Sequence, residues 1–218
     1  MYKHLFFDLD GTLVDSLPDI TEALNLMRAE FNLTPISLDI VAGIIGKGFP
    51  TTTRRVLALD LDEHEVEKQA HKALQYTLMY YEQSMGKYTT IFPGVIETLQ
   101  KLKSRHIPMA IVTNKEEEHA IKVLDQTSLS AYFDVIIGGD TTDAYKPDPE
   151  PLEYAMSQLN AMAATSLMIG DSANDSECAN AAGIDIILID HGYNNGVDLS
   201  SLKQNGIINH IGEILDYI

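Results

Sequence analysis

The chain has 218 residues, 45% hydrophobic and 22% charged, the composition of a folded protein with room for a sizeable core. Its 32 acidic and 15 basic residues give a formal charge of −17, which disfavours nucleic acid and membrane surfaces as partners. The single Cys178 excludes an intramolecular disulfide, and with no visible signal peptide and no run of ~18 apolar residues a cytoplasmic protein is expected.

The first apolar run opens "HLFFDLDGTLVDS" (4–16), a strand that ends in two carboxylates one residue apart. Residues 16–32 carry Ile20, Leu24, Met27 and Phe31 at helical spacing. Ser16 with Asp19 reads as a capping box, with Pro18 in the first turn. "AGIIGKGFP" (42–50) is a glycine-rich break, and residues 62–85 form a long helix with Val66, Ala70, Ala73, Thr77 and Tyr81 in one stripe. After "FPGV" (92–95) the rhythm changes. A helix with Val95, Leu99 and Leu102 leads to the strand "PMAIVT" (108–113), and another helix leads to "FDVII" (133–137). A helix from about Asp148, with Asp148 as N-cap and Pro149 as first residue, precedes "SLMIG" (166–170). A helix ending near Gly183, the strand "DIILI" (185–189), and a last short strand and helix within 206–218 complete the chain. Short apolar strands alternating with helices predict an α/β protein with a Rossmann-like, three-layer α/β/α core on a parallel sheet. The core is expected from residues 1–16 and 86–218, with residues 17–85 inserted as a helical cap.

Ligands of open parallel sheets bind beyond the carboxyl ends of the strands. Here those ends carry Asp8-Leu9-Asp10, Thr113-Asn114-Lys115, Lys146 in a loop, and Gly170-Asp171-Ser172 with Asp175 following. Each group alone fits a turn, a helix cap or a solvated lysine. Four strands ending this way do not fit chance. Several carboxylates at one crevice require a cation, and hard oxygen donors suit Mg²⁺. Lys146 and the Thr113 hydroxyl add donors for an anion, so the set describes a phosphoryl-transfer site.

In order and spacing, "DLDGT", "VTN", "KPDP" and "GDSAND" resemble the four motifs of the haloacid dehalogenase superfamily, across nearly the whole chain. "VDSLPDI" (14–20), "FPGV", "TNK" (113–115) and "HGYNNG" (191–196) look like its phosphoglycolate-phosphatase-like branch, whose helical cap follows the first strand. The resemblance implies a phosphoric monoester hydrolase acting on a small phosphorylated metabolite as a monomer or homodimer. It makes Asp8 the nucleophile and Asp10 the acid and base. Mg²⁺ would be held by Asp8, Asp171 and the Asp10 carbonyl, with Asp175 behind through water. Thr113, Asn114 and Lys146 would hold the phosphoryl oxygens.

The expected substrate is 2-phosphoglycolate, with pyrophosphate, sugar phosphates, nucleotides or a phosphosugar mutase reaction as alternatives. Dehalogenases of this fold need neither metal nor a second acid, so Asp10 argues against that chemistry. Mutases of this resemblance carry a cap histidine where this chain has Ile20. Phospho-receiver modules are about half as long and do not carry their phosphorylated Asp on the first strand. A carboxylate-bearing substrate needs a further cation or backbone donors, for which Lys47, Arg54 and Arg55 are the nearest candidates in sequence, on or beside the loop of Gly46 and Gly48. Cys178 and the Tyr80-Tyr81 pair are expected to be structural.

Overall fold

The computed structural model describes residues 1–218. In chain order it places β1 (His4–Phe7), β2 (Val14–Asp15), α1 (Leu17–Glu30), α2 (Leu38–Ala42), α3 (Gly48–Leu57), α4 (Glu63–Ser84) and β3 (Thr90–Ile91). There follow α5 (Val95–Ser104), β4 (Met109–Val112), α6 (Glu117–Gln126), β5 (Val135–Ile137) and α7 (Glu150–Gln158). The last elements are β6 (Ser166–Gly170), α8 (Ala173–Ala181), β7 (Asp185–Ile189) and β8 (Gly206–Ile208). The last helix expected from the sequence is a 3₁₀ helix over residues 211–216.

Six strands make one parallel sheet in the order β5-β4-β1-β6-β7-β8. Alternate residues of these strands feed two separate cores. Leu5, Phe7, Ile111, Ile169 and Ile187 pack with Leu99 of α5 and Val123 of α6. Phe6, Ala110, Met168 and Ile186 pack with Leu152 of α7 and Ala179 of α8. A sheet with both faces covered needs apolar side chains on both, hence the unbroken apolar runs. The fold is the expected three-layer α/β/α arrangement.

Strand β1 lies between β4 and β6, so the chain continues to either side of it. That is the switch point at which an open sheet splays its loops into a crevice. Its ladder runs one residue further, with the Asp8 amide donating to the Ile169 carbonyl at 2.9 Å.

Helices α1 and α3 pack on α4. The α4 stripe Val66, Ala70, Ala73, Thr77 and Tyr81 is buried as its spacing predicts. Buried Arg28 ties this segment together, donating to the Thr34 and Val56 carbonyls and pairing with Asp60 at 2.6 Å. The chain enters the segment through β2 and leaves it through β3, which pair antiparallel, Val14 opposite Ile91 and Asp15 opposite Thr90.

Two cap assignments are corrected. Ser16 makes no side-chain cap bond to α1; its hydroxyl donates to Asp10 at 2.5 Å. Asp19, fully buried, accepts from the Gly86, Tyr88 and Thr89 amides and the Thr89 hydroxyl. Helix α7 begins at Glu150 rather than near Asp148, whose carboxylate accepts the Glu150 amide at 2.9 Å.

Candidate active site

Strand β1 delivers Asp8 and Asp10 to the same side because they are two residues apart, while Leu9 between them is fully buried. The Leu9 carbonyl then accepts the amides of Leu13 and Val14, which closes the tight loop. Gly11 sits there at φ +88°, and a Cβ on it would overlap the Asp171 carboxylate. Only glycine meets both conditions.

Lys146, from the loop after β5, is buried between two carboxylates, 3.0 Å from Asp8 and 2.6 Å from Asp175. Burial works against its ammonium, but Asp175 and Asp8 outweigh that and hold its pKa above the usual lysine range. Asp171 follows β6 and accepts from the Thr12 hydroxyl at 2.7 Å and the Tyr193 amide at 2.6 Å. Asp175 forms a capping box with Ser172 at the start of α8, accepting the Ser172 hydroxyl at 2.7 Å. Both Asp175 oxygens are therefore engaged within the protein, which favours a supporting role.

Burial pushes the Asp8 carboxyl up to about 6 against the pull of Lys146, and Asp175 adds to the rise. Asp171 is raised well above the carboxylate range by burial first, then by Asp175 and Asp8. Asp8, Asp171 and Asp175 each present an oxygen, all within 4.8 Å of one another. With Asp10 they make four carboxylates matched by two ammonium groups, Lys115 and Lys146. Two negative charges remain when all four are ionised, and hard oxygens at this spacing fit one small divalent cation. The Asp10 carboxylate is outside that trio.

Asp10 is instead bound by Lys115, at 2.9 Å from one oxygen and 2.8 Å from the other. Burial opposes the Lys115 charge, and Asp10 more than compensates, raising its pKa. No role for Lys115 was drawn from the sequence. The available signal was its position: it directly follows Thr113 and Asn114 past the end of β4, and all three line the cavity.

Thr113 is buried in the cavity, its hydroxyl oxygen accepting the Lys115 amide at 3.2 Å and its proton free to donate. Asn114 takes a different part from the one expected. Its amide donates to the Gly46 carbonyl at 2.9 Å and the Lys146 carbonyl at 2.8 Å, which spends both donors on bracing two loops.

Opposite the carboxylates, the cavity is lined by Ile20, Ile45, Gly46, Phe49 and Thr52 of the helical segment. The Gly46–Gly48 loop therefore does reach the site, and Asn174 also bonds the Gly46 carbonyl, at 3.0 Å. The basic residues near it do not. Lys47 is exposed and off the lining, Arg54 pairs with Glu67, and Arg55 donates to the Ile44 carbonyl at 2.9 Å. A second residue missed in the sequence is Tyr193, which lines the cavity and donates its hydroxyl to Asp15 at 2.5 Å. Cys178 is buried against the Asp148 carbonyl, and burial pushes its thiol up to about 12.

Residues 5–189 match the model of the haloacid dehalogenase-like hydrolases. A phosphoglycolate phosphatase of Pseudomonas syringae pv. syringae is 37% identical over 98% of this chain and 78% of its own length. One of Nitrosospira multiformis is 34% identical over 94% of this chain and 91% of its own. Among solved structures, a predicted phosphoglycolate phosphatase from Haemophilus somnus superposes with a TM-score of 0.92 at 29% identity, covering 99% of this chain and 97% of that one. No helix is long and apolar enough to cross a membrane.

Proposed function

The chain belongs to the haloacid dehalogenase-like hydrolases, and from that premise we propose that it hydrolyses small phosphomonoesters through an aspartyl-phosphate, with 2-phosphoglycolate its best substrate. The observation that carries the reading is the division of two lysines between two aspartates: Lys146 beside Asp8, Lys115 on Asp10. Two carboxylates in one cavity are thereby given different surroundings, as a nucleophile and an acid–base group require.

A carboxylate oxygen of Asp8 would attack phosphorus, forming the O–P bond of an acyl phosphate as the bond to the leaving oxygen breaks. Asp10 would give that oxygen its proton, then take one from the water that attacks the aspartyl-phosphate. Phosphate leaves and the Asp8 carboxylate is restored. Asp8, Asp171 and the Asp10 carbonyl would hold Mg²⁺, with Asp175 supporting it through water. When bound, the ion supplies the positive charge that lets a phosphate dianion approach these carboxylates. Lys146 and the Thr113 hydroxyl would hold the phosphoryl oxygens, and Asn114 would keep their loops in place. We read residues 17–85 as a cap over the core of residues 1–16 and 86–218.

The relatives named phosphoglycolate phosphatase support the substrate, and apolar Ile20 in the lining gives no acid–base group for a mutase reaction there. The test is a panel of phosphoglycolate, sugar phosphates, nucleotides and pyrophosphate with purified protein and Mg²⁺. Highest kcat/KM on phosphoglycolate is expected. Preference for pyrophosphate or a sugar phosphate would replace the substrate and leave the reaction class.

A further inference from the structure

We propose that Lys115 is a positioning residue for Asp10, fixing the plane of its carboxylate for proton transfer to the leaving oxygen; the assignment rests on the phosphatase reading above. A short carboxylate held by one oxygen can still turn about its last bond. Lys115 reaches both oxygens of Asp10, at 2.9 and 2.8 Å, and the Ser16 hydroxyl adds a third contact at 2.5 Å. The pair is unequally dry: the lysine side chain is 3% exposed and the aspartate 18%. Asp10 is thus the wetter of the two, while Lys115, which also lines the cavity, is almost wholly enclosed.

That enclosure is aromatic. The Lys115 ammonium lies 5.0 Å from the centroid of Tyr81, whose ring stands 4.7 Å from Phe49 and meets His119 edge-on at 5.2 Å. An ammonium over a desolvated ring is held more tightly than one in water. Tyr81 and Phe49 come from α4 and α3, whereas Lys115 and His119 come from β4's loop and α6. Glu82, next to Tyr81, reaches His119 at 3.0 Å and Lys122 at 2.9 Å, which seats α4 against α6. Lys115 has no contact with Asp8, which Lys146 serves; the carboxylate it holds is that of Asp10.

The test compares Lys115→Met and Lys115→Arg in the full chain with saturating Mg²⁺ on two esters. The leaving group of p-nitrophenyl phosphate departs without protonation; that of a simple alkyl phosphate does not. Lys115→Met is expected to lower kcat/KM for the alkyl ester about 100-fold, the scale of one acid–base contribution. That loss should exceed the one on the nitrophenyl ester by at least ~10-fold and lie in kcat rather than KM, and Lys115→Arg should recover most of it. Equal losses of kcat/KM on both esters, a loss in KM alone, or no loss would overturn the assignment and leave the phosphatase reading standing. Wild-type protein that turns over neither ester overturns the reading itself, and this assignment with it. If Lys115→Met does not fold, Tyr81→Leu removes the ring and keeps the lysine. It is expected to show the same leaving-group-dependent loss at several-fold size, and its absence would overturn the assignment.

Discussion

Asp19 and Thr89 join the two passages between the helical segment and the sheet: the Thr89 hydroxyl donates to the Asp19 carboxylate at 2.6 Å, and the Thr89 amide to the same oxygen at 3.1 Å. With the Gly86 and Tyr88 amides, each at 2.8 Å, one buried side chain gathers the whole returning linker. Asp19→Asn keeps the shape but turns one acceptor oxygen into a donor facing these N–H groups. Bonds to a charged acceptor are worth about 1.5–3 kcal/mol each, so a loss of about 2–3 kcal/mol is expected, read from urea denaturation. Melting should fall by roughly 5–10 °C.

Without a divalent ion the acidic cluster makes stability depend on pH. Asp8 titrates at about 6 in the fold against an ordinary 3.8, and Asp171 moves the same way. A raised folded-state value contributes stability that is complete below the unfolded value and lost as pH rises through the folded one. Protein in EDTA is therefore expected to melt several degrees lower at pH 7.5 than at pH 5, and Mg²⁺ to stabilise it more at pH 7.5. Thermal shifts at both pH values check this. The EDTA difference should shrink in Asp8→Asn, and an unchanged difference would detach it from this carboxyl.

Asp8→Asn is expected to abolish turnover, and Asp10→Asn to lower it on the order of 100-fold or more. Lys146→Ala should lose activity and stability together, because it leaves Asp8 and Asp175 buried and unpaired. Removing one partner of such a pair costs about 3–5 kcal/mol. Radiolabelled phosphate trapped on Asp10 rather than Asp8 would reverse the two roles.

Lys47→Ala and Arg54→Ala should leave the preference for carboxylate-bearing over uncharged esters within about twofold, since exposed charges change energies by ±0.5 kcal/mol or less. Thr52→Val, on the lining face of α3, should change that preference several-fold, the effect of a hydrogen bond of about 1 kcal/mol. Ratios of kcat/KM for phosphoglycolate and p-nitrophenyl phosphate measure both.

The strands and the α4 stripe were legible because burial on both faces, or on one stripe, writes itself into local spacing. The four strand-end groups were legible for the same reason: a parallel sheet sends them all to one edge. Ser16 and Asp19 misled because a capping box and a linker clasp use the same residue types. The choice is made by Thr89, 70 positions on. Lys115 and Tyr193 act on Asp10 and Asp171 across 105 and 22 positions, beyond any local pattern. Arg54 misled through rotation: two residues past Thr52, it lies about 200° round the helix from the lining face.

The pairing of β2 with β3 has a consequence for how this chain tolerates change. Val14 and Ile91 are neighbours, so everything between them departs from and returns to nearly one point. α1 to α4 therefore leave the sheet and return to it at one place, so a change of length in the exposed loops between them leaves the strand register untouched. β1 has no comparable freedom. Hydrogen-bonded on both sides, it would turn Asp8 and Asp10 onto the wrong face after a one-residue insertion. Changes of length are thus absorbed on the inserted side of the chain and not in the strand that carries Asp8 and Asp10.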